Sequence, residues 1–229
     1  MPKFELLNYQ MHRHLRMQPV AGATPHFVQI VTSEFSAAAL ASPVMLSKDP
    51  QTGDFFVGAV MSLKPGEAPL KSVDERGGLN PLSRQCSGFY ISGEQIAIDR
   101  DNPRFSEVDG ELLFDDAQQP NECLRQMQIA LGKYHGGLEA TRSFIDSMNK
   151  LKLIEPVDMS LSFDSGEKLT IKGLYTIGLD SLRDIDDAAA LRLFRSGYLQ
   201  LAYTIATSLP QVGILAHLRN RQLVSNPQR

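Results

Sequence analysis

The chain has 229 residues, of which 42% are hydrophobic and 21% charged, and a formal net charge of −3. That length and balance describe a globular protein able to bury a core without covalent staples. The small negative charge excludes a global attraction to nucleic acid or to an anionic membrane, and the two cysteines, Cys86 and Cys123, form neither a CxxC nor a disulfide framework.

Residues 1–26 are polar and irregular, and read as an N-terminal arm. LNYQMHRHLRM forms a short helix or lies along the domain, and Pro19, Gly22 and Pro25 interrupt the remainder of the arm. The arm holds Arg13, Arg16, His12, His14 and His26 without an apolar run, so no secretory signal is expected. No stretch of about 18 consecutive apolar residues predicts a membrane span. Free thiols suit a reducing compartment, which makes the cytoplasm the expected location.

Phe27 to Leu63 is the most apolar and regular run of the first half. Phe27 to Val31 has the β-branched character of a strand. Thr32 or Ser33 is placed to cap a helix from Glu34, whose charge suits the first turn, and Pro43 stops that helix. Val44 to Leu46 is apolar again, and Asp49, Pro50, Thr52 and Gly53 supply turn chemistry. Phe55, Val57, Ala59, Met61 and Leu63 share one face of the next strand, with Phe56 and Val60 on the other. A strand apolar on both faces is expected to be covered on both sides.

Residues 64–88 form a long Pro- and Gly-rich connection, a pattern that often carries function. Phe89 to Ile98 reads as a hairpin, Asp99 to Gly110 as a polar loop, and Leu112 to Phe114 as a brief apolar run. Asn121 opens a helix with Leu124, Met127, Leu131 and Tyr134 on one stripe. Gly136 and Gly137 are expected to end it, and a second helix follows to Leu151, making a helical hairpin. Val157, Met159, Leu161 and Phe163 alternate with polar residues, and so do Leu169 and Ile171 beyond a turn at 164–167, as in a strand pair with one wet face. Asp186 or Asp187 starts a helix that Gly197 ends. Tyr198 to Leu209 is apolar nearly all round and fits either a core or a dimer interface. Pro210 breaks it before a last helix, Gln211 to Leu223.

This order predicts an α+β fold: antiparallel sheets with flanking helices, a helical hairpin in the middle and a helical C-terminal region. Residues 27–223 read as a single domain, with 224–229 as a tail. A split near residue 118 is the alternative, and one fused domain is favoured because both helical runs need a sheet to cover.

No catalytic set assembles from the motifs. His12 and His14 lack the further ligands a metal site needs and read as a solvated pair. Asp99 and Asp101 open like a calcium loop, but Pro103 and Arg104 occupy the positions of a third ligand and the glycine, so an EF-hand is rejected. Asp180, Asp184, Asp186 and Asp187 read as helix caps and dipole partners. There is no GxSxG, P-loop or GxGxxG. Cys86 has Arg84 nearby, yet no sequence feature brings it a base such as His26 or His135. No metal or cofactor is expected, and the basic C-terminal end, with Arg219, Arg221 and Arg229, has too few charges for nucleic-acid binding.

Several segments taken in order are similar to one family. They are LNYQMHRHLRM; Glu34, Phe35, Ala37, Ala38 and Pro43 in VTSEFSAAALASPVML; and Ile98, Asp99, Leu113, Phe114 and Asp115 in IAIDRDNPRFSE and ELLFDDAQQP. Thr141, Phe144, Leu153, Glu155 and Pro156 follow, then Gly173, Leu174, Tyr175, Gly197, Leu199 and Ser208. Together they resemble the SapC-like family of bacterial proteins, named after a surface-layer-associated protein. The resemblance covers nearly the whole chain. It departs at GEAPLKSVDERGGLNPLSRQCSGF, where the family usually carries Asn-Leu-Phe, Gly-x-Trp and Arg-Arg-Tyr-Pro-Phe. Here only Arg84 and Phe89 correspond, and the chain has no Trp.

The resemblance implies a non-enzymatic accessory or binding protein acting with a protein or peptide partner, in a surface-layer or outer-membrane-uptake setting. The surface-layer label conflicts with the cytoplasmic expectation. The expected recognition residues are Glu34, Phe35, Arg84, Phe89 and Asp99. Two other readings stand beside it: a small-molecule-binding sensor-like domain, and an enzyme using Cys86 or the carboxylates Glu34 and Asp99.

Overall fold

Period-two alternation and short turns give antiparallel strands throughout, arranged in three sheets. The structure is a computed structural model that describes residues 3–20, 24–69 and 79–225. Residues 70–78 of the 64–88 connection, and 226–229 of the tail, lie outside the described residues.

In chain order the first elements are β1 (Phe4–Leu6), α1 (Tyr9–His12), β2 (Arg16–Met17), β3 (Phe27–Gln29), α2 (Phe35–Ala41), β4 (Val44–Lys48) and β5 (Phe55–Val60). Then come α3 (Leu82–Gln85), β6 (Phe89–Ser92), β7 (Gln95–Asp99), β8 (Phe105–Ser106), β9 (Glu111–Leu112) and α4 (Glu122–Lys150). The rest are β10 (Ile154–Ser162), β11 (Lys168–Ile177), α5 (Leu179–Arg183), α6 (Asp187–Arg195), α7 (Tyr198–Ser208) and α8 (Gln211–Ser225). The chain groups into two compact units, Met1–Gly22 with Asn80–Gly137, and Ala23–Leu79 with Leu138–Arg229.

The second unit is built on a five-stranded antiparallel sheet in the order β10-β11-β4-β5-β3. Both faces of β4 and β5 are covered, as the two-sided apolar pattern of the strand from Phe55 predicts. Val44, Leu46, Val57 and Ala59 pack with Phe35, Ala38, Phe144, Met148, Ala202 and Ile205. Met45 and Val60 turn to the other face, with Phe163, Ile171, Val212 and Leu215. The rings of Phe35 and Phe144 meet edge-to-face at 5.8 Å, a geometry favoured by the ring quadrupole. Gly58 is required where it stands, because a Cβ there would come within 2.6 Å of the Phe27 ring. The Ser208 hydroxyl accepts from the Val44 N–H at 2.9 Å, tying α7 to β4.

The first unit holds two three-stranded sheets, β1-β7-β6 and β8-β2-β9. Leu15, Phe89, Ile98, Phe105, Leu113 and Phe114 close its core against Leu124, Met127 and Leu131 of α4. Residues read as an arm are thus built into this unit: Phe4–Leu6 pair with Ala97–Asp99, and Leu15 is buried.

Three local expectations are corrected. The helical hairpin is instead one continuous helix, α4, of 29 residues. A glycine ends a helix when it takes the left-handed conformation, and Gly136 does not; it costs the helix only about 1 kcal/mol. The good helix formers on both sides carry the helix through. Neither Thr32 nor Ser33 caps the following helix: the Glu34 carboxylate accepts from the Val31 N–H at 3.0 Å, and the Thr32 N–H goes to the Thr141 hydroxyl. His12 is not solvated but buried, its ring within 3.0 Å of the Asn8 carbonyl and 3.2 Å of the Glu5 carboxylate.

Tyr198–Leu223 spans 26 residues, and its most apolar 18-residue stretch has a mean hydropathy of 1.2, which by length and composition alone suits a membrane-crossing helix. Polar residues interrupt it, so it contains no unbroken apolar stretch of that length. A turn at Leu209–Pro210 divides it into α7 and α8, and Ala202, Ile205, Val212 and Leu215 face the two cores.

Candidate functional site

The second unit carries an open groove of about 680 Å3. One wall is the β4–β5 hairpin, the other is the C-terminal half of α4, and Gln29 of β3 joins them.

The hairpin wall is held rigid by its turn. The Asp49 carboxylate accepts from the N–H of Thr52 at 2.9 Å and of Gln51 at 2.7 Å. Those two bonds favour the charged form and keep its carboxyl below the ordinary carboxylate value. Gly53 takes φ +77, which the turn requires of it. Lys48 stands opposite Phe55 in the strand register, its ammonium 4.8 Å from the centre of the Phe55 ring and 5.4 Å from that of Tyr175. The two rings meet edge-to-face at 4.9 Å, so the lysine is positioned over an aromatic platform. Asp54 and Phe56 complete this wall.

The helix wall follows from helical periodicity. Leu138, Thr141, Arg142, Ile145, Asp146 and Asn149 recur at steps of three or four and share one face. Thr141 and Ile145 are buried at its base, while Arg142, Asp146 and Asn149 reach solvent. Among the described residues, the side chains of Arg142, Asp146 and Asp54 make no hydrogen bond or ion pair. The groove therefore offers cations and carboxylates on both walls, with aromatic and aliphatic surface between them.

The residues singled out from sequence are divided between the units. Glu34 and Phe35 lie in the second, where Phe35 is fully buried against Phe144. Arg84, Phe89 and Asp99 lie in the first. Phe89 is 3% exposed, its ring 5.1 Å from that of Phe105, so replacing it disturbs the core before it tests any binding. Asp99 accepts from the N–H of Lys3 at 3.1 Å and helps fix β1 beside β7. Arg84 is half-buried on α3. Cys86 is buried, and the Cys123 thiol donates to the Leu112 carbonyl at 3.3 Å, with burial pushing its pKa up. In the acidic cluster, Asp186 caps α6 by accepting from the Ala189 N–H at 2.7 Å, and Asp180 pairs with Arg183. Among the described residues no three His, Cys, Asp or Glu side chains converge.

The groove residues Lys48, Asp54, Arg142, Asp146 and Asn149 are the ones that sequence reasoning missed. The spacing of 138, 141, 142, 145, 146 and 149 marks a helix face, but its facing hairpin lies far away in sequence.

Fold and groove together define an α+β protein with antiparallel sheets and an amphoteric cleft on the larger sheet's unit. The chain belongs to the SapC family, whose model matches residues 7–215. No curated protein and no solved structure matches it.

Proposed function

We propose that this SapC-family protein is a non-enzymatic accessory protein that binds a polypeptide partner, and that the groove between the β4–β5 hairpin and α4 receives a segment of that partner. The observation that carries this reading is the groove itself, with a turn-locked wall, an aromatic platform and charged groups that the protein leaves unpaired. Preformed walls lower the ordering cost of binding.

The test places a photo-crosslinking amino acid at Asn149 in the protein expressed in its host. The expected result is a discrete polypeptide adduct that disappears when Thr52→Trp fills the groove. No adduct, or one that Thr52→Trp leaves intact, rejects the reading. A second reading, a small-molecule sensor, draws on the cavity volume, which lies within the range of small-ligand sites of roughly 300–1,000 Å3. Native mass spectrometry showing an added small-molecule mass, lost in Thr52→Trp, would replace the peptide reading with this one.

A further inference from the structure

The charge order on the helix wall specifies the segment further, resting on the reading that this groove holds polypeptide. Arg142 and Asp146 stand on one face of α4, four residues apart, which is about 6 Å along the helix axis. They form no ion pair with each other, and an arginine N-terminal to an acid at this spacing is the weaker orientation for pairing. Both groups are therefore available to opposite charges on a ligand.

An extended peptide repeats its side chains on one face about every 6.6–6.8 Å, close to the separation of the two charges. The residue between points the other way, toward the hairpin, where Phe55 lines the cleft. We infer that the groove takes an extended peptide segment bearing an acidic and a basic side chain two positions apart, with an apolar residue between them. The acid pairs with Arg142, the base with Asp146, and the apolar residue meets the aromatic platform. Lys48 and Asp54 on the hairpin wall then face the peptide's flanks with the same mixture of charge.

Fluorescence anisotropy with fluorescein-labelled, end-capped hexapeptides tests this. Peptides centred on Asp-Phe-Lys, Lys-Phe-Lys, Asp-Phe-Asp and Ala-Phe-Ala are compared on the full chain. The Asp-Phe-Lys peptide is expected to bind about tenfold more tightly than Ala-Phe-Ala, since both of its charges meet partners. Arg142→Glu is expected to move the preference to Lys-Phe-Lys. Arg142→Lys is expected to keep the original ranking, which separates loss of charge from loss of fold. Equal binding of all four peptides, or a ranking unmoved by Arg142→Glu, overturns the inference. So does tighter binding of an uncapped Asp-Lys dipeptide than of any capped peptide, which would make the ligand a small zwitterion. If the charged peptides fail while the Asn149 crosslink to a polypeptide persists, this inference falls and the proposed function stands; if the crosslink is absent as well, both fall.

Discussion

Each unit buries an arginine over a phenylalanine ring, and the two cations are satisfied in opposite ways. In the second unit Arg219 is 3% exposed, its guanidinium carbon 4.5 Å from the centre of the Phe163 ring. It donates to both Glu67 oxygens, at 2.7 and 3.0 Å, and to Glu167 at 2.9 Å, while Lys64 also pairs with Glu167. In the first unit Arg104 is 7% exposed, its guanidinium carbon 5.6 Å from the centre of the Phe89 ring. Its partners are carbonyls: Gln18 at 3.2 Å, Ser87 at 3.3 Å, and Gln85. Glu67 first, and Glu167 after it, hold the Arg219 pKa above the ordinary value, whereas burial pulls that of Arg104 below it. The contrast separates two uses of a buried cation. One is a charge lock between segments far apart in sequence; the other clamps the turn at 85–87 to residue 18 through dipoles alone.

The largest effect is expected from breaking the charge lock while leaving its cation. Glu67→Gln with Glu167→Gln strands Arg219 without a counter-charge, a loss of about 3 kcal/mol. The two carboxylates are 31% and 27% exposed, which places the cost at the lower end for buried pairs. Urea unfolding of the double variant measures it, and an unchanged midpoint would mean that the lock contributes nothing. Arg104→Met should cost less, about 2 kcal/mol, because it removes hydrogen bonds to carbonyls and leaves no stranded charge.

Acid sharpens the same contrast. Lys64 first, then Arg219, hold the Glu167 carboxyl below its ordinary value of 4.5 against the opposing effect of burial. A depressed folded value means stability that is present above 4.5 and lost as pH falls through the lower folded value. The stability–pH slope below 4.5 should therefore shrink in Glu167→Gln and persist in Arg104→Met. Glu5, held low by Lys3 and then His12, adds a component of the same sign in the first unit. Equal slopes in the two variants would show that the lock does not respond to acid.

Smaller effects lie outside both arginines. Asp186→Ala removes the α6 cap and should cost about 1 kcal/mol in thermal unfolding. Arg142→Glu changes an exposed, unpaired side chain and should leave stability within about 0.5 kcal/mol, while moving the peptide preference to Lys-Phe-Lys. A large loss of stability in Arg142→Glu would mean that the residue supports the fold rather than the groove.

The amino-acid pattern alone determined the α+β class, the strand pair around residues 157–172, the two-sided burial of the strand that starts at Phe55, and a helix opening at Asp186 or Asp187. Each is legible because it depends on spacing of two or of three to four residues, or on one turn of helix. The resemblance seen in the ordered segments agrees with the family match for the same reason, since both read local residue order. Tertiary structure alone decided what depends on partners far along the chain. Whether Gly136 and Gly137 end a helix depends on a backbone angle that their neighbours impose. His12 reads as solvated in the sequence because its burial comes from the fold around it. Arg104 stands there only as a reason against a calcium loop, and Arg219 only as part of a basic tail, until folding brings residues 86 and 152 positions away beside them. The groove belongs to the same class: its helix face is written in the local spacing, but a cleft needs a second wall, and only folding brings residues 48–56 to face residues 138–149.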